Sequence, residues 1–262
     1  MKKFLFFAFA LVASALVFVA CDKKNEPTNS DEINIKDYVG SMWFLDSVSV
    51  GDFTTTHMCQ PIFLLSETSI QLGNEVCPFR FENGKLYITH YGDMENEYEL
   101  VSLDEKGAVV KAGQGSDVRT YYIAALPTLD RNKQKTISES ALIGKYKMVI
   151  GSITETKVDG TVETSYTVGG MITWMTFKEN NKMLYEDSSP NADMEGIWEV
   201  NVAEKKICYG TYSSLADMRE YGHPEDILVF NDDYLVTGSD YDYDPSMGMT
   251  HRHYESVLVR IK

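Results

Sequence analysis

Asp37-Tyr38-Val39-Gly40-Ser41-Met42-Trp43-Phe44-Leu45 is the stretch that decides the fold, because Ser140-Ala141-Leu142-Ile143-Gly144-Lys145-Tyr146-Lys147-Met148 repeats its pattern. In each copy an apolar pair precedes a glycine, and an aromatic residue then opens a strand-like run. The residues between the copies, 127–138, are polar and charged, as in a linker between domains. The repeat therefore predicts two similar domains in sequence, residues 33–126 and 139–262, joined by the linker 127–138.

Both domains show the periodicity of β-strands. Short alternating segments rich in Val, Ile, Thr, Tyr and Phe are separated by turn residues along most of the chain. Asn83-Gly84 lies between two such segments, which is typical of a tight hairpin. Helical patterning is limited to Ser213–Gly222, with a serine cap and a glycine stop, and to single turns at Ile35–Val39 and Ser138–Ile143. The sequence predicts a mainly β fold of two consecutive antiparallel domains.

The repeated stretch resembles the start of the lipocalin-like domains that are common in exported lipoproteins of the Bacteroidota. In that family a short turn leads to a glycine and then to the tryptophan that begins the first strand of a meandering antiparallel barrel. Met175–Lys182 and the strand Gly196–Val200 are similar to later motifs of the family. The resemblance implies two up-and-down barrels. Two β-sandwiches remain the alternative, because periodicity alone establishes only antiparallel β structure.

The first 32 residues carry an export signal. Lys2 and Lys3 give a basic start, Phe4–Ala20 is almost wholly apolar, and Cys21 follows directly. The apolar run is shorter than the ~20 residues of a bilayer-spanning helix. Val17–Cys21 resembles a bacterial lipoprotein signal, which implies removal of the signal helix (residues 1–20), fatty acylation of Cys21 and attachment to the outer membrane. Residues 21–32 then form the lipidated cysteine and a flexible tether. Both the periplasmic and the cell-surface side remain open.

The chain is strongly acidic. Its 262 residues include 24 Lys and Arg against 39 Asp and Glu, a formal net charge of −15. Removal of residues 1–20 takes away two lysines and no acid, which leaves −17. Such a charge repels nucleic acid and anionic headgroups, so the sequence excludes nucleic acid as a partner and predicts membrane contact through the lipid anchor. No pattern in the sequence identifies a protein partner.

Three cysteines remain besides Cys21. Cys59 and Cys77 lie close in sequence in an exported and therefore oxidising setting, so a disulfide between them and two separate buried thiols are both open. Cys208 lies in an apolar strand-like run and is interpreted as a core thiol. No cysteine-protease signature surrounds it.

One segment near the C-terminus gathers metal-ligand residue types. If the chain turns through Pro245–Gly248, strand register places Asp242 opposite His251 and Asp240 opposite His253 on one face of a hairpin. Two imidazoles and two carboxylates in this arrangement would suit Zn²⁺ or another divalent ion. The alternative is a solvated face of cross-strand charge pairs. No other cofactor is indicated.

The function predicted from the sequence is binding without catalysis. Trp43, Trp174 and Trp198 are candidate residues of a ligand cavity, since barrels of this size can hold one small ligand, although aromatic residues at strand positions also form plain cores. The chain has no phosphate loop, nucleophile elbow, His-Glu-x-x-His or Cys-x-x-Cys motif. We therefore expect a non-catalytic envelope protein that binds a small amphiphile or a glycan, or that serves as an accessory protein in the cell envelope. A metal-dependent enzyme using the 240–253 hairpin and a surface adhesion module are the alternatives.

Overall fold

The fold consists of eighteen β-strands in two antiparallel sheets, in a computed structural model that describes residues 33–56, 61–90, 94–126, 129–166, 172–187 and 193–261. The first sheet contains β1 (Met42–Val50), β2 (Phe53–Thr56), β3 (Pro61–Ser66), β4 (Ser69–Leu72), β5 (Glu75–Glu82), β6 (Lys85–His90), β7 (Met94–Asp104), β8 (Gly107–Ala112) and β9 (Arg119–Ala125). The second contains β10 (Gly144–Lys157), β11 (Val162–Tyr166), β12 (Ile172–Phe177), β13 (Lys182–Asp187), β14 (Met194–Asn201), β15 (Lys206–Gly210), β16 (Glu225–Phe230), β17 (Tyr234–Asp242) and β18 (Met249–Ile261).

Each sheet closes into a barrel through its first and last strands. β1 pairs with β9, with Trp43 opposite Ala125, and β10 pairs with β18, with Lys145 opposite Ile261. β2 and β3 occupy successive parts of the same edge of β1, and β11 and β12 do so along β10. Each barrel is therefore eight strands around, in the up-and-down order found in lipocalins. The predicted barrels are confirmed, and the sandwich alternative is wrong because each sheet closes on itself.

The repeated stretch forms the helical turn, the glycine and the start of the first strand of each barrel. Gly40 and Gly144 both have positive φ angles, 87° and 152°, which favour glycine at these turns. A Cβ atom at Gly144 would also lie 3.1 Å from the guanidinium of Arg260. That guanidinium donates to the carbonyls of Ala141 and Ile143, each at 2.7 Å, and so binds the end of the preceding helical turn. These contacts favour glycine at Gly144, whereas at Gly40, where a Cβ would meet nothing within 4 Å, the positive φ angle is the reason.

The helices are few and short. Ile35–Tyr38 is a 3₁₀ turn and Glu139–Leu142 a single α-helical turn, as the sequence predicts. The helix Leu215–Tyr221 begins after Ser214, whose hydroxyl accepts from the amide of Asp217, and ends at Gly222. Within the described part of the chain, no helix has the length and apolar character needed to cross a membrane.

The two barrels pack against each other through outward-facing apolar side chains. Phe44 of the first barrel belongs to this contact together with residues of the second, namely Val149, Ile150, Val229, Tyr234, Val236 and Val257. Lys147, only 5% exposed, donates to the carboxylate of Asp46 and, at 3.1 Å, to its carbonyl. Because a buried ammonium needs such partners, this pair fixes how β1 and β10 meet.

Candidate functional site

The first barrel encloses a small apolar chamber. Its volume is about 160 Å³, and strands from all around the barrel line it through Leu45, Ile62, Ile70, Leu72, Leu86, Ile88, His90, Tyr98, Val110, Tyr121 and Ile123. Strand alternation explains the lining, because residues two apart on one strand share a face. On β6 this rule turns Leu86, Ile88 and His90 inward together. The chamber is chemically aliphatic, with His90 and two tyrosines as its polar groups.

A cluster of three different metal-ligand types lies beside this chamber. Glu75, Cys77 and His90 each place one donor atom within 4.8 Å of the other two. The Cys77 Sγ lies 3.7 Å from the His90 Nδ1, and a Glu75 carboxylate oxygen lies 3.4 Å from the same nitrogen. Cys77 has no exposed surface, whereas the side chains of His90 and Glu75 are about one-fifth exposed. Burial and then the charge of Glu75 raise the pKa of the Cys77 thiol to about 11.

The hairpin between β5 and β6 brings this cluster together. Asn83 and Gly84 have φ angles of 54° and 76°, the conformation of a tight two-residue hairpin turn. The turn sets the register in which Phe79 lies opposite Ile88. The same register, continued by two residues, brings Cys77 opposite His90. Glu75 follows on the same face of β5, so the turn determines all three positions. The Asn83-Gly84 turn is recognisable from the sequence, and its register, extended along both strands, is the signal that indicates these three residues.

The second barrel is filled by aromatic side chains. Trp198, Tyr146 and Phe177 have no exposed surface. The ring centroid of Phe177 lies 5.0 Å from that of Trp198 and 5.6 Å from that of Tyr146. The indole nitrogen of Trp198 donates to the carbonyl of Lys178 at 2.8 Å, so its polar atom is satisfied inside the core.

The three tryptophans singled out from the sequence do not share a cavity. Trp43 packs in the core of the first barrel, 6.1 Å from the ring of Tyr38, and Trp198 packs in the core of the second. Trp174 lies half-buried on β12 next to the buried Met175, with the ammonium of Lys145 4.8 Å from its ring centroid. Ligand binding by these residues stays a prediction, and for Trp43 the relevant opening is the cleft between the barrels.

That cleft has a volume of about 620 Å³ and a mixed lining. Aromatic residues contribute Tyr38, Trp43 and Tyr166, and Arg131 forms a bidentate pair with Glu255 at 2.7 and 2.9 Å. The remaining side includes carboxylates and hydroxyl groups at Asp37, Ser41, Glu105 and Ser152. Aromatic faces beside hydrogen-bonding groups are an arrangement suited to a polar ligand with some apolar surface.

The hairpin of β17 and β18 has the register that the sequence predicted. Asp242 lies opposite His251, and Asp240 lies opposite His253. The two ring nitrogens of His251 contact Asp242 at 3.1 Å and Asp240 at 2.9 Å, and the Nδ1 of His253 contacts Asp240 at 2.8 Å. These are hydrogen-bond distances between the predicted ligands themselves, so the geometry is that of a charge ladder. Metal binding here stays a prediction.

The ladder shifts the pKa values of Asp240 and His251 in opposite directions. The hydrogen bond from His253, followed by the contacts of His251, lowers the pKa of Asp240. The hydrogen bond to Asp242 is the largest cause that raises the pKa of His251, and Asp240 adds to it. The arrangement therefore favours the charged form of both groups.

The cysteines divide between described and undescribed parts of the chain. Among the described residues, Cys77 and Cys208 are free and form no disulfide with each other. Cys208 lies half-buried on β15, where burial is the main cause that raises its pKa. Cys21 and Cys59 lie outside the described residues, so lipidation of Cys21 and the Cys59–Cys77 disulfide stay predictions.

No protein-family model matches the chain, and no curated protein matches it. The chain is similar to a solved structure of a protein of unknown function from the DUF3598 family of Nostoc punctiforme. The match spans 90% of this chain and 100% of the other chain. The two share 9% sequence identity with a TM-score of 0.23. A similarity this low transfers neither fold nor function to this chain.

Proposed function

We propose that the protein is an exported lipoprotein, attached to the outer membrane through Cys21, which binds a small amphiphile without catalysis. The observation that carries the proposal is the apolar chamber inside the first barrel. The ligand places its apolar end among the aliphatic side chains, and its polar end lies near His90, Tyr98 and Tyr121. The acyl chains on Cys21 leave both barrels free in the aqueous compartment, on the periplasmic or the cell-surface side.

The size of the chamber limits the apolar end of the ligand. A cavity of about 150 Å³ lined by Leu, Ile and Phe stays dry and binds benzene. The chamber of about 160 Å³ therefore accommodates a ring or a short acyl end, and not a full-length lipid tail. Each buried methylene contributes about 0.8 kcal/mol, or roughly fourfold in affinity.

Neutral alcohols from butanol to decanol test this proposal, because a strongly acidic chain does not repel them. Calorimetric titration should give affinities that rise with chain length and then level off once the chamber is full. Val110→Phe places a larger side chain in the chamber and should abolish saturable binding. Val109→Phe, the neighbouring half-buried position, which alternation turns outward, is the matched control and should bind as the natural chain does. Equal binding by both variants would contradict the proposal.

The lipid anchor has its own test. Intact-mass analysis of protein purified from its own envelope should give a chain that begins at Cys21 and carries fatty acyl groups. Cys21→Ser should leave the protein without acyl groups and outside the membrane fraction. A mature chain that begins elsewhere, or that carries no acyl mass, would remove the export part of the proposal and leave the chamber part intact.

A glycan is the second candidate ligand, and the cleft between the barrels favours it. Tyr38 and Tyr166 offer aromatic faces there, and the paired Arg131 and Glu255 offer hydrogen bonds to hydroxyl groups. Native mass spectrometry of the purified protein separates the two candidates, since a retained sugar and a retained amphiphile differ in mass. Tyr38→Ala should reduce retention of a sugar and leave alcohol binding in the chamber unchanged.

The enzyme alternative has less support because the proposed metal ligands of the hairpin are hydrogen-bonded to each other, and the adhesion alternative because the large exposed apolar side chains are spread over several elements. The hairpin residues Asp240 and His251 contact each other at hydrogen-bond distance. Large exposed apolar side chains of the described residues, such as Phe53, Met94 and Tyr221, lie on separate elements.

A further inference from the structure

Of the cluster of Glu75, Cys77 and His90, only His90 also lines the chamber, and the proposed amphiphile binding has no role for Glu75 and Cys77. We propose that these three residues bind a divalent transition-metal ion of the zinc type at the end of the first barrel. The proposal does not depend on what the chamber holds.

The spacing of the donor atoms agrees with a tetrahedral site. Metal bonds of zinc length place sulfur and nitrogen ligands about 3.5 Å apart, and nitrogen and oxygen ligands about 3.4 Å apart. The corresponding distances here are 3.7 Å from Cys77 to His90 and 3.4 Å from His90 to Glu75. The third pair, the Cys77 sulfur and the Glu75 oxygen, lies within 4.8 Å, so an ion between the three atoms needs at most adjustment of the partly exposed side chains.

The donor types select the ion. A thiolate, an imidazole and a carboxylate together suit zinc and its close relatives, whereas Mg²⁺ and Ca²⁺ prefer oxygen ligands throughout. Three protein ligands leave a fourth position for water or for a ligand group, as in metal sites that bind an exchangeable ligand. His90 lines the chamber, so this position lies near the space in which the proposed amphiphile binds.

The strands hold the three ligands before an ion arrives. Cys77 is fully buried among the core residues of the barrel. The partly exposed side chains of Glu75 and His90 give an ion a route from solvent to the thiol. A rigid arrangement of this kind lowers the cost of ordering the ligands, which favours binding.

Cobalt is the probe for the test, because a thiolate ligand gives bound Co²⁺ a charge-transfer absorption in the near ultraviolet. The reduced, metal-free full chain should bind one Co²⁺ ion with this absorption, and Zn²⁺ should displace it. Cys77→Ser should remove the absorption, and Cys208→Ser, which changes the other described free thiol, should keep it. His90→Gln and Glu75→Gln should each weaken binding by at least about tenfold.

Two controls keep the outcome decisive. His251→Gln changes an imidazole of the charge ladder and should leave Co²⁺ affinity and absorption unchanged. Because Cys77→Ser alters a core position, circular dichroism must show that it folds; if it does not, the variants of the partly exposed His90 and Glu75 decide. The proposal is wrong if no variant of the three residues weakens binding, if His251→Gln removes it, or if the unreduced chain holds Cys77 in a disulfide with Cys59. Alcohol binding is unaffected by these outcomes, so failure here leaves the proposed function standing.

Discussion

The two barrels share one topology but differ in what occupies their interiors. The first is lined by aliphatic side chains that leave a chamber of about 160 Å³. The second is filled by Trp198, Tyr146 and Phe177, none of which has any exposed surface. Eight strands enclose a similar space in both cases, so the size of the inward-facing side chains decides whether space remains for a ligand. The two barrels thus differ in whether their interiors leave space, the first leaving a chamber and the second being filled by aromatic rings.

Loss of an aromatic side chain from the filled second barrel should reduce stability more than any other substitution considered for the two barrels. Trp198→Ala removes a fully buried indole and leaves the carbonyl of Lys178 without its donor. We expect the free energy of unfolding to fall by about 3–5 kcal/mol, measured by chemical denaturation. Trp174→Ala is the control, because this half-buried ring contacts Lys145 outside the core. Trp174→Ala should lower the free energy of unfolding by about 1 kcal/mol or less. Equal losses in the two variants would mean that the second barrel is not tightly packed.

A matched pair of enlarging substitutions compares the interiors directly. Ile207 is fully buried in the second barrel, and Ile207→Phe should destabilise it by about 1–3 kcal/mol through overpacking. Ile88 lines the chamber of the first barrel, so Ile88→Phe extends into empty space and should change stability by less than about 1 kcal/mol. Thermal unfolding of both variants gives the comparison. A larger loss for Ile88→Phe than for Ile207→Phe would contradict the presence of the chamber.

Sequence patterning was sufficient for the strands and the main hairpins of this fold. The glycine and aromatic residues of the repeated stretch predicted the start of both barrels, and Pro245–Gly248 predicted the register of Asp242 with His251. The strand β2, Phe53–Thr56, was missed because its four residues show no apolar alternation. Barrel closure followed only from the family resemblance, since pairing of β1 with β9 joins residues far apart in sequence.

The candidate site was harder to predict for two physical reasons. The chamber depends on the summed volumes of side chains from many strands, which no single segment reveals. The cluster of Glu75, Cys77 and His90 is predictable from the sequence in principle, because the Asn83-Gly84 turn sets the register of β5 and β6. The sequence left Cys77 open as a disulfide partner of Cys59 or as a buried thiol, and neither interpretation pairs Cys77 with His90 across the hairpin.

A smaller difference between the barrels lies in their last hairpins. β17 and β18 span 9 and 13 residues, whereas their counterparts β8 and β9 span 6 and 7. The extra length carries the charge ladder. Because the pKa of Asp240 is lowered from 3.8, its stabilising contribution is present above pH 3.8 and is lost as the pH falls through the lowered value. Because the pKa of His251 is raised from 6.5, its contribution is present below pH 6.5 and is lost as the pH rises through the raised value.

The ladder should therefore stabilise the extended hairpin most between pH 3.8 and pH 6.5. Proton NMR titration of His251 checks this, and Asp242→Asn should move its pKa down toward 6.5, since the hydrogen bond to Asp242 is the main cause of the shift. Asp244→Asn is the matched control, because the Asp244 carboxylate accepts from the amide of Ser246 at 2.8 Å. An unchanged titration of His251 in Asp242→Asn would show that the ladder contacts do not form in solution. Zn²⁺ that broadened the signals of His251 and His253 together would instead favour the metal site over the ladder, and the two barrels would then each carry a metal-binding hairpin.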